Sequence, residues 1–378
     1  MKNAWKRAIQ RLENAYVSRL GMSLPVAALL VVVAADLITG QGHYLTPGIV
    51  VVPALASLTV SWQRTLLLSA LGGAVQGALS PYDGVTRIPD HDVVIGQVTA
   101  YVLVSLFSVY TAWRREAGLK AFSAISSVAE AAQQALMRPP EPRVGPVRLA
   151  ARYVSAADAA QIGGDLYAVL DTPYGVRALI GDVRGKGLPA VRTSAVVLGA
   201  FREAAYDEGG LERVAARVDA SVSRHVASGE FTTALFAGFD RPGSVELLHY
   251  GHVAPLRVAR DGTVDTLEPA DPWVPLGLSD MVGRGAGAGR AAPAPWRARL
   301  DPDDVLVLCT DGVVEARAPR DGSFYPLADR VGSLVAGCGG ELETAVERLY
   351  GDLLRHAGGS LSDDVVLLLL SPSPRNGR

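Results

Sequence analysis

Four aspartates, each placed where apolar, strand-like sequence breaks off, constrain this chain more than any other feature. Asp165 ends the run Gln161-Ile162-Gly163-Gly164-Asp165. Asp182, 17 residues on, opens the run Asp182-Val183-Arg184-Gly185-Lys186-Gly187. Asp311 lies in Thr310-Asp311-Gly312 and Asp363 in Ser362-Asp363-Asp364. Apolar stretches at 166–170, 176–180, 305–309 and 365–370 touch all four sites and read as strands. A lone aspartate at such a place is commonly a turn or cap residue. Four of them converging at the ends of buried strands need neutralising, and cations do that.

The first pair is placed by register alone. If 166–170 and 176–180 form an antiparallel hairpin around Thr172-Pro173-Tyr174-Gly175, Leu170 falls opposite Arg177 and Asp165 opposite Asp182. Like charges so placed repel unless a cation lies between them. Asp311 ends a strand and Asp363 begins one, which repeats the arrangement. Hard oxygen ligands without a Cys or His cluster favour Mg2+ or Mn2+ over Zn2+.

The chain has 378 residues, enough for two units, and its apolar excess is concentrated near the N-terminus. Stretches 24–38, 47–60, 65–79 and 93–110 contain almost no charge and predict an all-α multi-pass transmembrane region of about four helices, with a re-entrant second or third segment as the alternative. A signal peptide competes for the first stretch alone. Lys2, Lys6, Arg7, Arg11 and Arg19 precede the first stretch, Arg64 follows the second, and Arg114, Arg115 and Lys120 follow the fourth. The intervening loops are poor in Lys and Arg, so both termini are expected in the cytoplasm. A net charge of -2 gives no polycationic surface, and no nucleic-acid partner is expected. Cys309 and Cys338 are the only cysteines, too few for a disulfide framework.

Residues 114–142 read as a linker: a helix over 116–137, closed by Pro139-Pro140-Glu141-Pro142. Phe122, Ile125, Ala129, Ala132 and Leu136 form a short heptad seam, which predicts either a coiled-coil homodimer or a helix packed on its own domain. Residues 143–372 alternate strands with helices at 188–206, 211–227 and 341–356, an α+β layered sandwich, and 373–378 form a tail. The Gly-Ala-Pro-rich stretch 284–295 reads as a loop. The Gly185-Lys186 pair lacks the spacer and the following Ser or Thr of a phosphate-cradling P-loop. Its glycines suit close backbone approach to a metal or phosphate oxygen. His252, beside Gly251, reads as structural rather than as a general base.

These residues carry a family resemblance. Gly163-Gly164-Asp165, Gly181-Asp182 through Gly187, Thr232-Thr233-Ala234, Gly251-His252 with Pro255, Pro275-Leu276-Gly277, Thr310-Asp311-Gly312 with Glu315, and Asp363-Asp364 together resemble the SpoIIE-type branch of the PPM metal-dependent serine/threonine phosphatases. Gln134-Ala135-Leu136 with Pro139 is similar to the entry of such domains. The resemblance implies an α-β-β-α sandwich and hydrolysis of phosphoserine or phosphothreonine by a two-metal-activated water. It implies that Asp182 bridges both metals with the Val183 carbonyl as a further ligand, that Asp165 contributes nearby, and that Asp311 and Asp363 hold the second metal. Gly164, Gly185, Gly187, Thr233, His252, Gly312 and Asp364 would surround them. The implied substrate is a phosphorylated anti-sigma-factor antagonist. Val366 stands where the family usually has Thr, and Val253-Ala254-Pro255 replaces a double proline. The rival reading is a silent phosphoprotein-binding module coupled to a membrane sensor.

Overall fold

The computed structural model describes residues 2–40, 45–80, 91–137, 139–155, 163–226, 229–279, 293–336, 338 and 341–373. Most of the loop expected at 284–295, namely 284–292, lies outside the described residues. The chain divides into two compact units, Met1–Phe122 and Ser123–Arg378.

In the second unit the strands form two antiparallel sheets. Short β1 (Arg143–Val144) precedes β2 (Val147–Val154), β3 (Asp165–Thr172), β4 (Gly175–Val183) and the helices α5 (Leu188–Asp207) and α6 (Leu211–His225). Then come β5 (Thr232–Phe239), β6 (Ser244–Tyr250), β7 (Leu256–Val258), β8 (Val264–Thr266), β9 (Trp296–Arg299) and β10 (Val305–Cys309). The chain finishes with the short helix α7 (Asp311–Val314), α8 (Leu327–Ala336), α9 (Leu342–His356) and β11 (Val365–Pro372). One sheet has the order β1-β2-β11-β10-β7-β8 and the other β3-β4-β5-β6-β9.

The layering follows from two-residue periodicity in strands that are apolar on both faces. Along β11, Val366, Leu368 and Leu370 join a core shared with β3, β4, β5, α5 and α6. Val365, Leu367 and Leu369 point the other way, into a second core with α8 and α9. β10 repeats the division, with Leu306 and Leu308 on the shared side and Val305, Val307 and Cys309 on the other. Two sheets thus face each other with helices outside, the expected α-β-β-α sandwich. α6 presents Leu211, Val214, Ala215, Val218 and Val222, spaced as one helical face. Pro189 sits in the first turn of α5, where a missing N–H costs nothing. Between α5 and its sheet, Phe236 packs on Phe201 with ring centroids 6.0 Å apart and on Tyr250 at 5.8 Å.

The first unit holds α1 (Lys2–Thr39), a 3-10 turn at Thr46–Val50, α2 (Val51–Thr59) and α3 (Trp62–Leu79). Its small core is Leu29, Ile49, Val52, Ala56, Val60 and Leu68. Among the described residues, two helical stretches, Gly21–Thr39 and Val94–Ala121, are long and apolar enough to cross a membrane, and little of either is buried. Of the four apolar stretches, only the first and the fourth meet that test. Pro47, Gly48 and Pro53 divide the second stretch into a 3-10 turn and a nine-residue helix, and the 14 residues Thr46–Thr59 reach only ~21 Å of the ~30 Å required. The third is an 18-residue helix, Trp62–Leu79, with Gln63 and Arg64 in its first turn and Gly72, Gly73 and Gln76 further along.

The fourth stretch and the linker lie on one continuous helix: α4 runs from His91 to Leu136. No proline interrupts it, and an isolated Gly118 costs only about 1 kcal/mol. The side chains of Phe122, Ile125 and Ala129 lie outside the described residues; Ala132 is exposed. Leu136 packs on Val191 of α5, so that end of the heptad seam is taken by its own domain.

Phe236→Ala should lower the stability of the sandwich by about 3–5 kcal/mol. The measurement is the urea midpoint followed by near-ultraviolet circular dichroism.

Candidate metal centre

The hairpin register is the one the sequence predicts. Asp165 pairs with Asp182 and Leu170 with Arg177 across β3 and β4. β5 then lies beside β4 and sets Thr233 opposite Asp182. From the facing sheet, Asp311 enters at the end of β10 as the first residue of α7. Asp165, Asp182 and Asp311 each offer a carboxylate oxygen, and these three atoms lie within 4.8 Å of one another. Asp363, just ahead of β11, and Asp364 line the same cleft of about 210 Å3, with Gly164, Val183, Arg184, Gly185 and Lys186. Asp363 stands outside the tight triad, with Oδ1 2.9 Å from Lys186 Nζ. Gln161 and Ile162 of the first motif lie outside the described residues.

The two sheets are joined at this point. Thr310 Oγ1 donates to Asp165 Oδ2 at 2.7 Å and accepts the Val366 N–H at 2.9 Å, so one hydroxyl ties β10 and β11 to β3. The bond to Val366 is made through backbone, which is why a valine serves there. Asp364 is buried and accepts from Tyr153 Oη at 3.1 Å and Ser155 Oγ at 3.3 Å.

Glycines are dictated by contact. A Cβ on Gly164 would lie 2.1 Å from the Val183 carbonyl oxygen and 2.7 Å from Asp182 Oδ1. Those two oxygens therefore converge beside a bare Cα. A Cβ on Gly312 would meet the Asp364 carbonyl oxygen at 1.9 Å.

Sequence reasoning missed Gln133. It is buried at the end of α4, and its Nε2 donates to the carbonyls of Gly163 at 3.2 Å and Asp165 at 3.3 Å, bracing the segment that carries the first acid. The neighbouring Gln134, singled out by resemblance, has its side chain outside the described residues. A glutamine three residues before an apolar helix end is the only signal, and it is a faint one.

Electrostatics show what the cluster requires. Asp165 is 2% exposed, and burial, then Asp182, holds its pKa well above the usual carboxylate range despite the opposing Thr310 bond. Asp182 is pushed from 3.8 up to about 7 by burial first, then by Asp311 and Asp363. Burial and Asp363 raise Asp311 as well. Each shift has desolvation as its largest cause and repulsion behind it, and a bound divalent cation relieves both. Acid oxygens and a converging backbone carbonyl, with no cysteine among the described lining residues, fit a hard divalent ion.

His252 is buried among neutral partners, its Nδ1 3.0 Å from Thr233 Oγ1. Its pKa is held down at about 3 by burial and then by His249, which leaves a neutral, weakly basic imidazole. Thr233 and His252 thus form a polar prop behind Asp182, whose carbonyl accepts from Thr233 Oγ1 at 3.4 Å.

Two outcomes follow. Without metal, the native state holds protons on Asp182 that the unfolded chain has released, so stability should fall as pH rises from about 4 to about 7. Unfolding midpoints across that window should show this slope, and saturating Mn2+ should remove it. Gln133→Leu orphans two carbonyls and should cost about 1–3 kcal/mol while weakening Mn2+ binding by calorimetry.

Comparison with known proteins gives the same fold. The chain is similar to the RsbU and RsbW domains of Rv1364c from Mycobacterium tuberculosis, at 24% identity and a TM-score of 0.51, covering 63% of this chain and 64% of that one. It thus spans less than two thirds of that chain's length. It is also similar to the SiaA-PP2C domain of Pseudomonas aeruginosa, at 16% identity and a TM-score of 0.53, covering 68% of this chain and 98% of that one. Residues 172–372 match the family model described as Stage II sporulation protein E (SpoIIE), a stretch that includes Asp182, Asp311 and Asp363 and begins just after Asp165. On that match, which covers just over half of its length, this chain belongs to the SpoIIE family.

Proposed function

We propose that this chain is a membrane-anchored protein phosphatase that hydrolyses phosphoserine or phosphothreonine with a water activated by two divalent cations. The observation that carries the reading is the convergence of Asp165, Asp182 and Asp311 oxygens within 4.8 Å, with Asp363 on the same cleft. Asp182, Asp165 and the Val183 carbonyl would hold one ion, and Asp311 and Asp363, with Asp182 shared, the other. When bound, Mn2+ or Mg2+ supplies an acidified water and neutralises charge on the phosphoryl group. The chain's own part is positioning. β3 and β4 fix the opposed acids, Thr310 locks Asp165 in place, and Gly164 lets the Val183 carbonyl face inward. No side-chain nucleophile is needed. His252, neutral and buried, orients Thr233 rather than moving a proton.

Membership of the family supports the substrate: a phosphorylated anti-sigma-factor antagonist, whose dephosphorylation would release a sigma factor. Membrane anchoring is supported by Gly21–Thr39 and Val94–Ala121, whose apolar side chains face outward, as Ile38 at 84%, Val31 at 67% and Phe107 at 66% exposed illustrate. A homodimer through the linker helix would use residues before Leu136.

The full-length protein with Mn2+ should release phosphate from a phosphoserine peptide and stop on chelation. Asp182→Ala should abolish turnover, and His252→Ala should keep measurable activity. Chelator-resistant turnover would contradict the two-metal reading, and binding of the phosphopeptide without turnover would favour the silent module. Reporter fusions should place both termini on the cytoplasmic side, since two spans and four share that outcome.

A further inference from the structure

Five carboxylates line the cleft: Asp165, Asp182, Asp311, Asp363 and Asp364. Two divalent ions would leave this set one charge negative, and a phosphomonoester adds up to two more. Among the described lining residues only Arg184 and Lys186 are cationic. Arg184 is committed elsewhere. Its guanidinium lies over the Phe231 ring at 5.3 Å and donates to the Gly229 carbonyl at 3.4 Å. Lys186 instead reaches the acids, 2.9 Å from Asp363, and keeps 36% of its side chain exposed.

The loop is built to present it. Gly185 and Gly187 flank Lys186 with φ of +103° and +82°, conformations that L residues rarely adopt. A Cβ on Gly185 would meet nothing within 4 Å, so backbone conformation and not space requires glycine there. Two conformational constraints on either side of one lysine fix where its flexible stem begins, while the ammonium stays free to change partner.

We propose that Lys186 is the phosphate-binding cation of this site. In this structure it pairs with Asp363. When Asp363 turns its charge to a divalent ion, the ammonium donates to a non-bridging oxygen of the substrate's phosphomonoester or of the phosphate product. This deepens the phosphatase reading and rests on it. A merely structural Lys186 would restrain Asp363 and act on metal affinity instead.

The test uses full-length protein in detergent. Calorimetry gives Mn2+ affinity and the binding of inorganic phosphate to the Mn2+-loaded protein; kinetics give KM for a phosphoserine peptide. Lys186→Gln should weaken phosphate binding and raise KM about tenfold or more, with Mn2+ affinity within about twofold. Lys186→Arg, keeping the charge, should stay near wild type. Unchanged phosphate binding and KM in Lys186→Gln overturn the proposal. So does a loss of Mn2+ affinity that alone accounts for the effect. Wild type that neither binds Mn2+ nor turns over peptide overturns the phosphatase reading and the subsite with it, a result recognisable because no variant is involved.

Discussion

Repulsion among carboxylates at the junction of two sheets governs the second unit. Asp165 and Asp182 face each other across a hairpin, Asp311 arrives from the other sheet, and burial sharpens the conflict among them. A fold held only by its apolar cores would not place acids so. The aspartates are kept in place by bonds that reach past them: Thr310 to Asp165, Gln133 to the backbone on either side of Gly164, and Tyr153 and Ser155 to Asp364. The protein thus invests packing and hydrogen bonding in a site that only a cation completes, as expected where function and stability pull apart.

Rigidity comes from the sandwich. Every strand of β10 and β11 is apolar on both faces because each sheet is covered twice, once by its partner and once by helices. That leaves their ends as the natural place for polar chemistry, and Thr310, Asp311, Asp363 and Asp364 all occupy such ends. Glycine is required there because neighbouring backbones pass too close for a Cβ, as at Gly164 and Gly312.

Legibility in the sequence followed the range of the interactions. The β3–β4 register was readable because a short turn fixes it, and Asp165 fell opposite Asp182 as expected. The α5 start was readable from Pro189, and α6 from its apolar spacing. Contacts between distant segments were not: nothing local marks Gln133 as a brace for Gly163, or Lys186 as the partner of Asp363. The ten residues of α8 follow irregular sequence and carry no strong start signal. Prolines at 47 and 53 and the polar opening of α3 keep the second and third apolar stretches short of the length and apolarity that the first and fourth reach.

Stoichiometric metal binding tests the central claim most directly. Titration of the full-length protein with Mn2+ at neutral pH, followed by calorimetry, should give two ions per chain, with binding lost or halved in Asp182→Asn. Absence of binding, or a titration that Asp182→Asn leaves unchanged, would contradict the account that these acids are assembled around cations.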